Sequence, residues 1–324
     1  MAIPVRVLIL PKFETGAMTG DFPGEAQFFY EHYCAGGEEY EVPGGFPGHR
    51  LYIKDAVALY VTGMGKVNAA LSLMAVLRDP RFDFSDAYFL SVGCGGSAAG
   101  STVMGDVILA TAAVDYDLGH HADPRDLTLP RETTWFHDPI FDSSAFRVLD
   151  GGLMDWAWER IRDTKLNTTP GTKAYLSRAF DGAAWTRREP MVLRGTTVSG
   201  DNYWKGETGH RNAAAMAKAY GCPDPYAICE MEDAALAVAL DRQGLLDRFL
   251  ILRASVNLDV FINGMTPEAL WAADLGHGIA AEESVESADI FVTAMENEFR
   301  VGRILIDTVL GRNKNNPLTM ALCG

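Results

Sequence analysis

Ala227-Ile-Cys-Glu-Met-Glu-Asp-Ala-Ala-Leu236, followed by Leu250-Ile-Leu-Arg-Ala-Ser-Val-Asn-Leu-Asp259, is the pair of stretches on which the reading of this chain turns. The first predicts a helix opening on a polar triplet, Glu230-Met231-Glu232. Apolar residues then fall at Met231, Ala234, Ala235 and Val238, an i, i+3, i+4, i+7 stripe suited to packing on a sheet. The second is a short apolar run, the pattern of a buried central strand, and it ends in Asn257 and Asp259. Two carboxylates flanking a methionine suit a sugar. A carboxylate accepts hydrogen bonds from adjacent hydroxyls, and a thioether packs on the apolar ring face. The same residues also describe an ordinary acidic helix start, since Asp and Glu favour the first turn.

The composition excludes several classes. With 28 basic and 43 acidic residues the net charge is −15, which argues against nucleic acid as a partner, because that binding needs clustered Lys and Arg. Five cysteines (Cys34, Cys94, Cys222, Cys229 and Cys323) are scattered without CxxC or metal-like spacing, as expected of reduced thiols in a cytoplasmic protein. The N-terminal residues lack the pattern of a signal peptide. The best candidate for a membrane span, 87–105, is interrupted by five glycines and several hydroxyl residues and reads as strand, turn and loop. At 48% hydrophobic residues the chain can bury a sizeable core. Without a visible linker or repeat, residues 1–324 are expected to form a single domain.

Along the chain, strands are expected at Val5–Leu10, Val57–Thr62, Ala87–Val92, Val103–Ala113 and Met191–Val198. Helices are expected at Glu25–Tyr33, Val67–Leu77, Asn212–Tyr220 and 288–310, the last with Phe291, Met295 and Phe299 on one face. Residues 115–190 give no readable topology. Strands alternating with helices indicate α/β architecture with a largely parallel sheet. Ligands in such sheets sit at the C-terminal strand ends, where Gly63-Met64-Gly65-Lys66, Gly93-Cys94-Gly95-Gly96 and Ser199-Gly200-Asp201 all fall. His120 and His121, with Asp123 nearby, complete no familiar metal-ligand spacing, so no metal is expected.

The order of these motifs resembles the nucleoside phosphorylase and nucleosidase superfamily. Val61-Thr-Gly-Met-Gly-Lys66, Val92-Gly-Cys-Gly-Gly-Ser97 with Gly105-Asp106-Val107, Val198-Ser-Gly-Asp-Asn-Tyr203, Glu230-Met-Glu232 and Arg253-Ala-Ser-Val-Asn257 carry the resemblance. Thr19-Gly-Asp-Phe-Pro-Gly-Glu25, Asp79-Pro-Arg-Phe-Asp83 and Tyr203-Trp204 followed by Met231-Glu232-Asp233 narrow the resemblance to the purine nucleoside permease family. The resemblance implies a three-layer αβα fold with a mixed, largely parallel, partly barrel-like central sheet, built into homo-oligomers. It implies binding of a nucleoside and cleavage of its N-glycosidic bond in nucleoside salvage, by phosphorolysis or hydrolysis. No cofactor is implied beyond inorganic phosphate as a co-substrate of the phosphorolytic case.

Residue by residue, the resemblance assigns Glu232 to the ribose hydroxyls, with Met231 against the sugar and Glu230 in support. Tyr203 matches the aromatic that stacks on the base, and Trp204 either lines the same wall or packs inward. Asn257 stands where many relatives carry the aspartate that protonates the leaving base. An amide cannot deliver a proton, so Asp259, two residues on, is the alternative acid, and the amide suits a 6-oxopurine, or a pyrimidine leaving as a hydrogen-bonded anion, better than adenine. Ser91 and Cys94 stand where phosphorylases carry an arginine and a serine. Phosphate or water would then rely on Gly65, Lys66, Cys94, Gly95 and Gly96, or on an unplaced arginine such as Arg194. For water activation Glu25 is the first candidate and Glu14 the second. The rival expectation is a non-catalytic nucleoside-binding protein linked to uptake, in a chain with no membrane span of its own.

Overall fold

The computed structural model describes residues 2–128, 132–261, 266, 268 and 280–312, with the side chains of 280–287 excepted; Cys323 lies outside the described residues. Eleven of the strands among these residues form one mixed sheet. From one edge to the other they run Phe146–Val148, Val107–Asp115, Val192–Ser199, Tyr226–Glu230, Cys94–Ser97, Phe249–Leu258, Tyr88–Ser91, Val7–Leu10, Val57–Tyr60, Arg50–Lys54 and Glu38–Glu41.

The long strands are parallel where crossover helices connect them and antiparallel at the hairpin edge. Leu252, Arg253 and Ala254 also pair antiparallel with Leu109, Ile108 and Val107. That extra seam curls five strands into a partly closed barrel. Closure is possible because Val107–Asp115 is buried along nearly its whole length and carries four small residues, Ala110, Thr111, Ala112 and Ala113. Larger side chains would not fit a barrel of so few strands.

Helix Lys66–Leu77 packs beside Asp233–Arg242 against the sheet. A second group, Gly151–Ile161, Pro170–Ala179 and Ala280–Val309, packs together and against strands Val107–Asp115 and Phe249–Leu258. These are the three layers. The expected apolar face of the last helix is present: Met295 is buried, and Phe291 and Phe299 are partly buried against the core.

Two expectations are corrected. Ala227–Glu230 is not helical; Tyr226–Glu230 is a strand, and the helix begins only at Asp233. Of the stripe, Ala234, Ala235 and Val238 lie in the helix while Met231 precedes it, and Tyr226 to Glu230 is a short strand between two neighbours. The Cys94–Ser97 stretch is likewise a strand rather than a turn. Its glycines are needed for close approach: a Cβ on Gly95 would lie 2.6 Å from the Cys229 carbonyl oxygen. The described residues of 115–190, whose topology the sequence pattern does not reveal, hold a small His120–His121/Trp135–Phe136 antiparallel pair, an edge strand, the one-turn helix Asp142–Ala145 and two longer helices.

Candidate active site

The carboxyl ends of these strands converge on a cavity of about 360 Å³. Lys12 and Glu25 reach it from the loop after Val7–Leu10, and Cys94, Gly95 and Gly96 from the strand after Gly93. Trp204 and Tyr203 come from the loop after Val192–Ser199. Glu230, Met231 and Glu232 sit at the strand-to-helix switch, and Asn257 and Asp259 where Phe249–Leu258 ends.

The Glu230–Asp233 turn is built by its own carboxylate. Glu230 Oε2 accepts the backbone N–H of Glu232 at 2.6 Å and of Asp233 at 2.8 Å, and Ser199 Oγ accepts that of Ala234 at 2.8 Å. These are donors a helix start leaves unsatisfied. Glu232 is thereby held with Oε1 accepting the Gly65 N–H at 2.9 Å and Oε2 facing Arg253 at 3.1 Å. Gly65 has φ +88°, a conformation that favours glycine, and this turn aims its N–H at Glu232.

Arg253, 1% exposed, binds the whole acidic turn together. Its guanidinium donates to Glu230 Oε2 at 2.9 Å, to Glu232, to Asp233 Oδ2 at 2.7 Å and to the Cys94 carbonyl at 3.0 Å. Lys12 is buried behind it, donating to the Leu10 and Val92 carbonyls at 2.8 and 2.9 Å and to Ser91 Oγ, with Asp233 3.7 Å away. Burial lowers the lysine's pKa. Burial also lifts Glu230 to about 7 and raises Glu232, while Arg253 and Lys12 hold Asp233 below the usual carboxylate range. Glu298, from the last helix, accepts the Gly93 N–H at 2.6 Å, and its Oε2 has no hydrogen-bond partner among the described residues. Burial pushes its pKa well above normal. The cluster holds more carboxylates than cations, so protons supply the balance.

Glu25 is fixed by two backbone donors, Lys12 N–H at 2.7 Å and Cys94 N–H at 2.8 Å, which leaves carboxylate capacity facing the cavity. Glu14 instead caps the following helix, accepting the N–H groups of Ala26 at 2.9 Å and Gln27 at 2.7 Å. The Cys94 thiol is pushed well above its ordinary pKa by burial. Lys66 is absent from the cavity lining. Its ammonium is held by Asp115 at 2.5 Å and Asp117 at 2.9 Å. Gly65 contributes through its N–H to Glu232. Arg194 pairs with Asp155 and Asp224, away from the lining residues.

At the other end, Asn257 Nδ2 donates to Tyr203 Oη at 2.6 Å. Trp204 both lines the cavity and packs outward, stacked on Tyr116 at 4.9 Å between centroids. A register irregularity between Ser255 and Asn257 lets Val256, Asn257, Leu258 and Asp259 all line the cavity, as bulges re-aim side chains. His120 and His121 are remote, facing Asp138 and the Tyr116 carbonyl. Among the described residues no group of three His, Cys, Asp or Glu side chains is placed to hold a metal.

The sequence reading assigns no role to Arg253, Lys12, Asp233 or Glu298. Arg253 carries a usable signal: a charge inside an apolar strand must find buried partners, and the acidic triplet and Asp233 precede it.

The chain resembles proteins of two kinds. A probable purine nucleoside permease of Schizosaccharomyces pombe is 26% identical over 288 residues, covering 82% of this chain and 79% of that one. A purine nucleoside permease of Candida albicans is 28% identical over 158 residues, 45% of this chain and 38% of that one. By fold, the chain is similar to the 5'-methylthioadenosine/S-adenosylhomocysteine nucleosidase of Neisseria meningitidis, solved with methylthio-immucillin-A. That match has a TM-score of 0.56, 18% identity and coverage of 94% and 99% of the two chains. The futalosine hydrolase of Helicobacter pylori matches with TM-score 0.56, 16% identity and 94% and 98% coverage. No helix among the described residues is long and apolar enough to cross a membrane. The sequence pattern of the purine nucleoside permease family matches residues 4–315, and the chain belongs to that family.

Proposed function

We propose that this chain cleaves the N-glycosidic bond of a purine nucleoside with water as nucleophile, preferring 6-oxopurines, in nucleoside salvage. The observation that carries the reading is the convergence of Glu25, Glu232 and Arg253 on one cavity within a fold shared with nucleosidases. Glu232 accepts the ribose hydroxyls, Met231 packs on the sugar and Glu230 fixes the turn. Holding the sugar favours the flattened, oxocarbenium-like transition state of glycoside cleavage. Glu25 takes a proton from water attacking C1'. Tyr203, Trp204 and Asn257 hold the base, and Asp259 is the acid that protonates it as it leaves.

Water is favoured over phosphate by electrostatics. Among the described residues Lys12 and Arg253 are the cations lining the cavity, both already face carboxylates, and Glu25, Glu230 and Glu232 line it too. A phosphate dianion would add charge to a site already short of cations. Incubation with inosine, guanosine, adenosine and uridine, with and without phosphate, tests this by free base released. The expected result is release from inosine and guanosine at a rate that phosphate does not change; strict dependence on phosphate would make the chain a phosphorylase.

A second reading, nucleoside binding in the service of uptake, is favoured by the permease names of the relatives and by an amide at Asn257. Tight nucleoside binding by calorimetry, with the ligand intact after long incubation and no base released from any substrate, would replace the enzyme reading with this one.

A further inference from the structure

A second cavity, of about 510 Å³, lies against the first, and Ala99, Ser101, His210, Lys218, Asp224 and Tyr226 are among the residues that line it. One carboxylate links the two. Asp259 is 1% exposed and lines the first cavity. Its Oδ1 accepts the Ala99 N–H at 3.0 Å, and its Oδ2 accepts the Tyr226 hydroxyl at 2.9 Å and stands 2.7 Å from His210 Nδ1. His210 and Tyr226 belong to the wall of the second cavity, and the His210 side chain is 24% exposed. A hydrogen-bonded pair therefore runs from one cavity to the other, with a titratable imidazole at the outer end.

A purely structural role, fastening helix Glu207–Ala219 to the end of the strand, does not need an imidazole. The Gly206 N–H already donates to the Asp259 carbonyl at 2.7 Å, and Ala99 and Tyr226 already hold the carboxylate. The reaction, in contrast, lacks a proton source. Asn257 cannot supply a proton, and a carboxylate as buried as Asp259 takes one from a neighbouring group rather than from bulk water.

We propose that His210 and Asp259 form a proton relay from the second cavity to the leaving base in the first. The proposal rests on the glycosidic-cleavage reading. His210 acts through Asp259 and is a positioning and relay residue rather than one that touches substrate. In the step, the C1'–N9 pair moves onto the base while the imidazolium Nδ1 proton passes to the Asp259 carboxylate and from it to N7; the neutral imidazole then regains a proton from water in the second cavity. The proton of the attacking water goes to Glu25 and from there to solvent, so protons balance over the turnover.

The groups facing His210 set the direction of its pH dependence. The hydrogen bond to Asp259 raises its pKa most, burial opposes, Asp259 and Glu207 charges raise it and Arg211 lowers it, for a net increase above the ordinary 6.5. Tyr226, Cys222, Asp224 and Lys218 line the same cavity. The imidazolium is the loaded form, so turnover should hold at lower pH and fall as pH rises through the His210 titration.

The test uses the full chain with inosine. His210→Gln keeps a side-chain N–H able to donate to Asp259 but carries no transferable proton; it should fold, retain KM and lose about 10²-fold or more in kcat, within the range for general acid catalysis. The alkaline limb of the pH profile should go with it. His210→Ala should behave alike and be restored by added imidazoles in an order that follows their pKa. In the wild type, the ring nitrogen shifts of His210 should titrate at a different midpoint once hypoxanthine is bound. A folded His210→Gln chain with unchanged kcat and pH profile, or a His210 midpoint indifferent to bound base, overturns the relay and leaves the cleavage reading standing. A wild type that releases no base from any nucleoside overturns the cleavage reading, and the relay with it.

Discussion

The two ends of the cavity are built by opposite strategies. At the sugar end, Arg253, Lys12, Glu230, Glu232 and Asp233 are all buried and ion-paired with one another. At the base end, Tyr203 is 68% exposed, and Asn257 and Trp204 are half-buried. The sugar end is held by charges that cannot be left unpaired without a large cost, so its geometry is fixed before any ligand arrives. Apart from the buried Asp259, the base end is held by aromatic faces and one amide, whose partners water or a ligand can replace. A site of this kind should tolerate change at the base and almost none at the ribose, and each substitution below tests that contrast.

Arg253→Met should have the largest effect. It keeps the volume of the stem and removes the cation shared by Glu230, Glu232 and Asp233. Removing one partner of a buried ion pair costs about 3–5 kcal/mol, because the other charge stays buried. Chemical denaturation should show a loss in this range. A chain within about 1 kcal/mol of wild type would show that the carboxylates take up protons readily enough to do without the arginine, and that ion pairing does not hold the sugar end rigid.

Glu232→Gln comes next. The Oε1 contact with the Gly65 N–H survives in an amide, and although the ion pair with Arg253 is lost, Arg253 keeps Glu230 and Asp233 as partners, so the fold should hold. A charged acceptor of ribose hydroxyls is lost, at about 1.5–3 kcal/mol, the range for hydrogen bonds to charged groups. The kcat/KM for inosine should fall accordingly, with little change in melting. Unchanged kinetics in the folded variant would move the ribose contact to another residue.

How far these roles can be read from sequence follows the same division. The order of glycine turns, the acidic triplet and the Asn257 strand end are legible because each is local: a strand end, a turn, a helix stripe. The family and sheet class follow from their order. Arg253 lies in the strand Phe249–Leu258, and its apolar setting signals buried partners without saying which, because the carboxylates it binds lie 20 to 23 residues earlier in the chain. Lys66 shows the converse. A lysine after a glycine turn reads as an anion ligand, but the loops carrying Asp115, Asp117 and Asp201 fold over it and claim its charge. The helix expected at Ala227 fails because a few apolar residues fit either period, and only the neighbouring strands decide between them.

Asn257→Asp should change preference more than rate. As the glycosidic bond breaks, N7 gains a proton and becomes a donor. Hypoxanthine then offers O6 as acceptor beside N7–H, and the amide meets both. Adenine offers two donors against the amide's one acceptor, leaving a buried polar group unsatisfied at about 1–3 kcal/mol. The carboxylic acid introduced by the substitution, protonated at mildly acidic pH, donates to N7 and accepts from N6. The inosine-to-adenosine ratio of kcat/KM should therefore fall from wild type to variant, by roughly fivefold to a hundredfold. An unmoved ratio would mean that Asn257 does not read the base.

Tyr203→Phe should have the smallest effect, and its smallness is the point. The phenol accepts from Asn257 Nδ2 at 2.6 Å in the ligand-free chain, and a bound O6 would compete for the same amide group. A neutral hydrogen bond contributes about 0.5–1.5 kcal/mol net, and at an exposed phenol water replaces most of it. Phenylalanine retains the π-face, and stacking on a base, worth about 1–3 kcal/mol, does not need the hydroxyl. Inosine kcat/KM should therefore change by less than about threefold. Tyr203→Ala, which removes the face, should lose more. If the hydroxyl alone cost as much as the ring, the Tyr203–Asn257 contact would be a fixed part of the site, and the base end would be as preorganised as the ribose end.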